Sequence, residues 1–182
     1  GPYLRWQKGA LVANNTASST ESILRYSAAG EFLGDFAVTS FRGGPVGLAF
    51  DAHGNLYVAN HGNNSIHQYS PTGDDLGIFA SASLNMPTGL AFDSQGHLVV
   101  CNYGDGSLNL YSPTGTLLSH VVTEMRNPLA LTVDLRDNIF VSTPNIAANS
   151  GVFRFAPDGT SGTLFVTGND LDARGLAFDQ RG

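Results

Sequence analysis

Charge is scarce in this chain of 182 residues: Asp, Glu, Lys and Arg together make up 13%, against roughly 25% in an ordinary soluble domain. Lysine occurs once, at Lys8, and the formal net charge is −6. A nucleic-acid groove needs clustered Lys and Arg to track phosphates, so that class of partner is excluded. Cysteine also occurs once, at Cys101. That rules out an internal disulfide and leaves a small buried hydrophobe as its expected role. No apolar run reaches the roughly 18 residues of a membrane-crossing helix, so no membrane span is expected. Glutamate is confined to Glu21, Glu31 and Glu124. No G-x-S-x-G, P-loop or Cys/His zinc pattern occurs.

Apolar residues nevertheless make up 42%, enough for a core, and glycine is abundant at 22. The surface is left largely to Asn, Ser, Thr and Gly. It includes two N-x-[ST] sequons, Asn14-Asn15-Thr16 and Asn63-Asn64-Ser65. Such a surface is common in exported proteins, and a secreted or cell-surface location is the expectation.

Internal repetition decides the fold class. Four segments match: Pro45 to Asp51, Pro87 to Asp93, Pro128 to Asp134 and Ala173 to Asp179, with steps of 42, 41 and 45 from Asp to Asp. Each Asp opens a turn, reaching glycine at Gly54, Gly96 and Gly182 but aspartate at Asp137. Short apolar runs follow, as in Leu56 to Ala59 and Leu98 to Cys101. A third run (Ser65 to Tyr69, Ser107 to Tyr111, Gly151 to Phe155) leads into proline turns such as Ser70-Pro71-Thr72-Gly73 and Ser112-Pro113-Thr114-Gly115. Proline pre-sets the second turn position and glycine closes the fourth. The runs are rich in β-branched and aromatic residues, carry no sustained 3.6 period, and read as strands.

Each unit is thus a four-stranded antiparallel meander with strands a to d. A lone meander cannot bury two apolar faces, so the units must stack radially: an all-β propeller of about four blades, each about 42 residues long. The units run approximately 1–43, 44–86, 87–127 and 128–172, with strand a of a further unit at 173–182. Ala10 to Asn14, Ser22 to Tyr26 and Phe32 to Phe36 supply strands b to d of the first. Three arrangements satisfy the count: a closed four-bladed ring, part of a larger ring, or closure between copies. Pairing of Ala173–Asp179 with the blade containing Ala10 to Phe36 is expected, because it would remove two open edges. Phe50, Phe92, Val133 and Phe178 share one repeated position and are expected to be buried between blades.

The pattern P-x-G-L-A-F-D-x-x-G-N-L-Y-V-A-N at Pro45–Asn60, followed by the Ile66–Tyr69 strand and S-P-T-G, resembles the NHL repeat. Its wider relatives are the lactonase-like and streptogramin-lyase-like propellers. The resemblance implies blade architecture over nearly the whole chain and says little about chemistry, since one blade serves enzymes and scaffolds alike.

The b–c and d–a loops leave a propeller on one face. They carry the candidate binding residues Asn14, Asn60, His61, Asn102, Tyr103, Thr143 and Glu124. Asn14, Asn60, Asn102 and Thr143 end strand b, where the NHL repeat typically has Asp. Their expected role is to cap loop backbone; the functional alternative is a neutral polar ring suited to a carbonyl ligand or sugar. Asp51, Asp93, Asp134 and Asp179 are expected to cap their own turns. His53 and His97 fall in the opposite a–b turns, His67 in strand c and His120 in strand d, so none converges on His61 and three convergent zinc ligands are not evident. Lactonase-like relatives hold a divalent cation with Glu, Asn and Asp, which here leaves Glu124, Asn60, Asn102 and Asp105 as loose candidates for Ca2+. No catalytic residue and no required cofactor is assigned. The expected function is a non-enzymatic scaffold that binds a protein or glycan, or self-associates through Ala173–Asp179. The alternative is part of a propeller hydrolase or lyase with a divalent-cation site at the channel mouth.

Overall fold

The computed structural model describes residues 9–14, 21–39, 44–123, 125–144, 151–166 and 173–178. Among these residues there is no helix, and fifteen strands form four antiparallel sheets. Sheet I holds β1 (Gly9–Asn14), β2 (Glu21–Ser27) and β3 (Phe32–Thr39). Sheet II holds β4 (Pro45–Phe50), β5 (Leu56–Asn60), β6 (Ser65–Tyr69) and β7 (Asp75–Ala80). Sheet III holds β8 (Pro87–Phe92), β9 (Leu98–Asn102), β10 (Ser107–Tyr111) and β11 (Leu117–Val122). Sheet IV holds β12 (Ala130–Val133), β13 (Ile139–Thr143), β14 (Gly151–Phe155) and β15 (Thr163–Val166). Within every sheet the strands follow chain order, which is the meander that the turn spacing dictates. This is a β-propeller architecture.

The core lies between sheets and follows the period of two along strand b. Leu56 and Val58 face sheet I, packing with Ile23, Phe36 and Tyr69. The intervening Tyr57 and Ala59 face sheet III, meeting Leu98, Val100 and Tyr111. Val99 and Cys101 turn to sheet IV and pack on Ile139, Val141 and Phe155. Sheets II, III and IV therefore bury both faces of strand b, with β5, β9 and β13 buried along their length, whereas Val12 in β1 of sheet I is exposed.

The innermost strands approach closely, and glycine permits it. A Cβ on Gly89 would stand 2.6 Å from the Leu131 amide nitrogen, and one on Gly47 would collide with the Thr88 carbonyl oxygen. The Thr88 hydroxyl bridges the same gap, donating to the Pro128 carbonyl at 2.8 Å.

Two expectations are corrected. Phe50 is 46% exposed and Phe178 40% exposed, while Phe92 and Val133 are only partly buried. Their shared position is the last of strand a, beside the a–b turn. It lies at the rim, whereas strands b and c fill the middle of each junction. Ala173–Phe178 is not a strand of sheet I, whose described members are β1, β2 and β3. Phe178 lies instead on Phe140 of sheet IV, with ring centroids 5.0 Å apart. Phe140 offers it an apolar contact on the adjacent sheet.

Candidate functional site

On one face of the stack, Asp51, Asp93 and Asp134 each close their own turn, while Asp179 lies outside the described residues. Asp51 accepts from the His53 and Asn55 amides at 2.8 and 2.9 Å, and from the Asn55 side chain at 2.8 Å. Asp134 repeats this with Arg136 and Asn138, and Asp93 with the amides of Gln95 and His97. Burial raises the Asp51 pKa, but the bonds from Asn55, His53 and Tyr57 together outweigh it and hold the carboxyl below its ordinary value. The Tyr57 hydroxyl is pushed up to about 12, by burial and then by the Asp51 charge. These carboxylates are used locally and form no common site.

The opposite face carries the b–c and d–a loops. Asn60, Asn102 and Thr143 are all buried at the ends of β5, β9 and β13. The Asn102 Nδ2 donates to Ser107 Oγ at 2.9 Å, and its Oδ1 accepts from the Asn85 amide at 3.1 Å. Asn102 thereby fastens the b–c turn to the loop that enters its own blade. The Asn60 Nδ2 reaches Ser65 Oγ at 3.4 Å. Its Oδ1 has no partner among the described residues. The residue that corresponds to Asn85 is Gly43, outside the described set. The Thr143 hydroxyl accepts from the Gly151 amide at 3.0 Å. Asn14 ends β1, with its side chain outside the described set, and Glu124 lies outside it altogether.

His61 and Tyr103, from adjacent blades, meet edge to face with ring centroids 5.6 Å apart. Both are partly exposed. Between their loops stands Met86, whose backbone the sequence reading missed. Its φ is +52°, in the left-handed region. The conformation is held from both sides: the Met86 amide donates to Asn64 Oδ1 at 2.7 Å, and its carbonyl accepts from the Tyr103 amide at 2.9 Å. Gly44 and Asn127 occupy the same pre-proline position, at φ +57° and +52°. Both are residue types that tolerate this region, and that shared tolerance was the available signal. Met86, Asn64 and Asn85 join the candidate surface with His61, Asn102 and Tyr103.

The remaining candidates do not converge. His97 Nδ1 lies 2.8 Å from the Asp93 carboxylate, and His120 Nδ1 2.6 Å from Asn109 Oδ1. His67 is buried in β6, 3.7 Å from Asp75. Asp105 accepts from Ser107 in its own turn and lies 3.4 Å from the Asn85 side-chain amide. Cys101 is wholly buried, and burial pushes its thiol up to about 11. Among the described residues no group of three His, Cys, Asp or Glu side chains is placed to hold a metal.

A family model described as the NHL repeat matches residues 43–69 and 84–108. The chain carries NHL repeats. These cover sheet II through β6 and the start of sheet III, the two blades whose loops form the His61–Tyr103 contact. No curated protein matches the chain in sequence. Solved structures match its fold. A chain in the crystal structure of a nidogen/laminin complex is 21% identical, with a TM-score of 0.80 over 95% of this chain and 66% of that one. A streptogramin B lyase structure is 14% identical, with a TM-score of 0.64 over 86% of this chain and 59% of that one. A protein of unknown function from Bacteroides caccae is 15% identical, with a TM-score of 0.65 over 96% and 63%. The chain thus spans less than two thirds of the length of each of these three structures. At these identities the likeness is one of fold.

Proposed function

We propose that this chain is a non-enzymatic binding module, and that it presents the b–c and d–a loop face to a protein partner outside the cell. The carrying observation is a loop network in which Asn64 and His61 of sheet II reach Met86 and Tyr103 beside sheet III, while Asn102 and Tyr103 hold Asn85 and Met86 where the chain enters their own blade. It holds partly exposed His61 and Tyr103 and exposed Met86 on a preformed surface. Rigid aromatic side chains supply contact area at low entropic cost, methionine adds an adaptable one, and both kinds are enriched at protein interfaces. No lysine lies in these loops, which suits a partner recognised by shape and apolar contact. The likeness to a chain from a nidogen/laminin complex supports a protein as the ligand class.

The test is a binding screen of immobilised extracellular-matrix proteins and a glycan array, using the chain and its His61→Ser/Tyr103→Ser double variant. A protein partner bound by the parent and lost by the double variant, with melting unchanged, supports the reading. Binding only to glycans replaces the partner class. A micromolar Ca2+ isotherm lost in Asn60→Ala would favour the hydrolase or lyase alternative.

A further inference from the structure

The sequon Asn63-Asn64-Ser65 lies where β5 turns into β6, on the face that carries the b–c loops. Gly62, Asn63 and Asn64 are exposed there. The neighbouring asparagines are in use. Asn60 is buried, and its Nδ2 reaches Ser65 Oγ. Asn64 has a φ of +55° and holds the Met86 amide through its Oδ1 at 2.7 Å. Among the described residues Asn63 bonds through Oδ1 alone, which accepts from the Ser65 hydroxyl at 2.7 Å.

Sheet III shows what this position needs. Asp105, likewise two residues before strand c, accepts from the Ser107 hydroxyl at 2.7 Å and the Ser107 amide at 3.0 Å. A carboxylate makes that cap, so the turn requires an acceptor and no donor. In sheet II an amide stands in its place, and the nitrogen the turn does not use is the atom that N-glycosylation modifies.

We propose that Asn63 is an N-glycosylation site, an inference that rests on the extracellular placement proposed above. The donor is an oligosaccharide carried on a lipid diphosphate, supplied by a transferase of the secretory pathway. Nδ2 attacks its anomeric carbon, the N–C bond forms and the bond from that carbon to the phosphate oxygen breaks. The lipid diphosphate leaves, and one Nδ2 proton passes to a base of the transferase. Oδ1 is untouched, so the modified turn keeps its bond from Ser65. The other sequon begins at a different position of the repeat. Asn14 ends strand b, as do Asn60 and Asn102, whose side chains are buried and bonded within their turns. The glycan is assigned to Asn63 on that ground.

The test directs the full chain, behind an added leader, through the secretory pathway of a eukaryotic cell. The secreted product is read by intact mass and by peptide mass spectrometry. Expected are a glycan on the peptide that carries Asn63, a mass shift that peptide-N-glycosidase removes, and the same melting temperature before and after that treatment. Asn63→Asp, which gives this turn the residue type of sheet III, should abolish the shift and leave melting unchanged. Ser65→Thr, which preserves the sequon, should retain it. A secreted, folded chain bare at Asn63 would overturn the inference and leave the extracellular reading standing. So would a glycan confined to Asn14. A glycosylated chain that melts below its enzyme-treated form would also overturn it, because the folded turn would then not accommodate the group. Glycosylation at Asn63 with no extracellular protein bound in the screen above supports the inference and fails only the partner reading.

Discussion

The junction between sheets II and III and the outward face of sheet IV share an aromatic lock but differ in burial. Tyr57, Phe79 and Phe92 interlock as Phe140, Phe165 and Phe178 do. Behind the first set stand Leu98, Val100 and Tyr111, fully buried. Around the second set, Phe165, Val166 and Phe178 are exposed. The aromatic set is thus local to strands a, b and d, and a facing strand a suffices to complete it. Phe140 is buried all the same, and the difference falls on strand d, where Phe79 is half-buried and Phe165 is 58% exposed. Stability in this stack should therefore be graded, high at the internal junctions and low at the outward face of sheet IV.

The largest expected contrast is a cavity pair. Leu98→Ala empties a wholly buried site and should cost about 3 kcal/mol, within the range for core leucines. Val166→Ala, exposed on the outward face with Val152 and Phe140, should cost less than about 1 kcal/mol. Urea unfolding of both variants gives the ratio. Equal losses would mean that the outward face of sheet IV is as buried as the internal junction.

A glycine pair sharpens the same contrast at the innermost strands. Gly89→Ala forces a methyl against the Leu131 amide and should cost roughly 2 kcal/mol, a typical overpacking loss. Gly175→Ala meets nothing within 4 Å and should leave the melting temperature unchanged or slightly raised, since alanine narrows the unfolded ensemble.

Acid should weaken the turn face of internal and terminal blades alike. Asp51 and Asp134 have folded pKa values held below the ordinary carboxylate value. Such a group contributes stability that is fully present above its unfolded pKa, about 3.9, and is lost as pH falls through the lower folded value. Stability should be level from neutral pH down to about 5 and decline below about 4. Asp51→Asn should flatten that decline and cost about 1–2 kcal/mol at pH 7, for bonds to a charged acceptor exchanged for bonds to a neutral one. An undiminished acid slope in the variant would show that other carboxylates carry it.

Much of this fold was legible because the repeat states it four times. Ser65–Tyr69 and Ser107–Tyr111 were bounded to the residue, and Pro45–Phe50 and Leu98–Asn102 to within one residue at the far end, since turn chemistry at Asp, Pro and Gly fixes the ends of each strand. Rim and centre were not legible. Phe50 and Phe92 look as core-like as Leu56 and Leu98, and only the stagger between neighbouring sheets separates them. The place of Ala173–Phe178 within the chain was not legible for a related reason. Edge arithmetic identifies it as a strand in need of a sheet, but only the Phe140 contact says which sheet it lies against. In the candidate site, His61 and Tyr103 were visible as the residues after a repeated Asn. The left-handed backbone of Met86 was not visible at Met86 itself, because methionine carries no turn signal. It had to be inferred from Gly44 and Asn127 at the matching positions.

The smallest effect should come from Asp137, which sits in the a–b turn of sheet IV where sheets II and III have Gly54 and Gly96. Its φ of +62° is one that glycine adopts freely and aspartate only with strain. In return its carboxylate accepts from the Ser94 amide at 2.8 Å and the Ser94 hydroxyl at 2.6 Å, tying the turns of sheets III and IV together. Asp137→Gly removes both the strain, about 1 kcal/mol for a residue that tolerates this region, and the two exposed bonds, each about 0.5 kcal/mol net. The two changes nearly cancel, so its stability should fall within about 1 kcal/mol of the parent. Asp137→Ala keeps the strain and loses the bonds, and should be the less stable of the two by roughly 1 kcal/mol. If glycine instead destabilises as much as alanine, the Ser94 bonds outweigh the strain. The tie between sheets III and IV would then rest on this turn as well as on the apolar layer behind it.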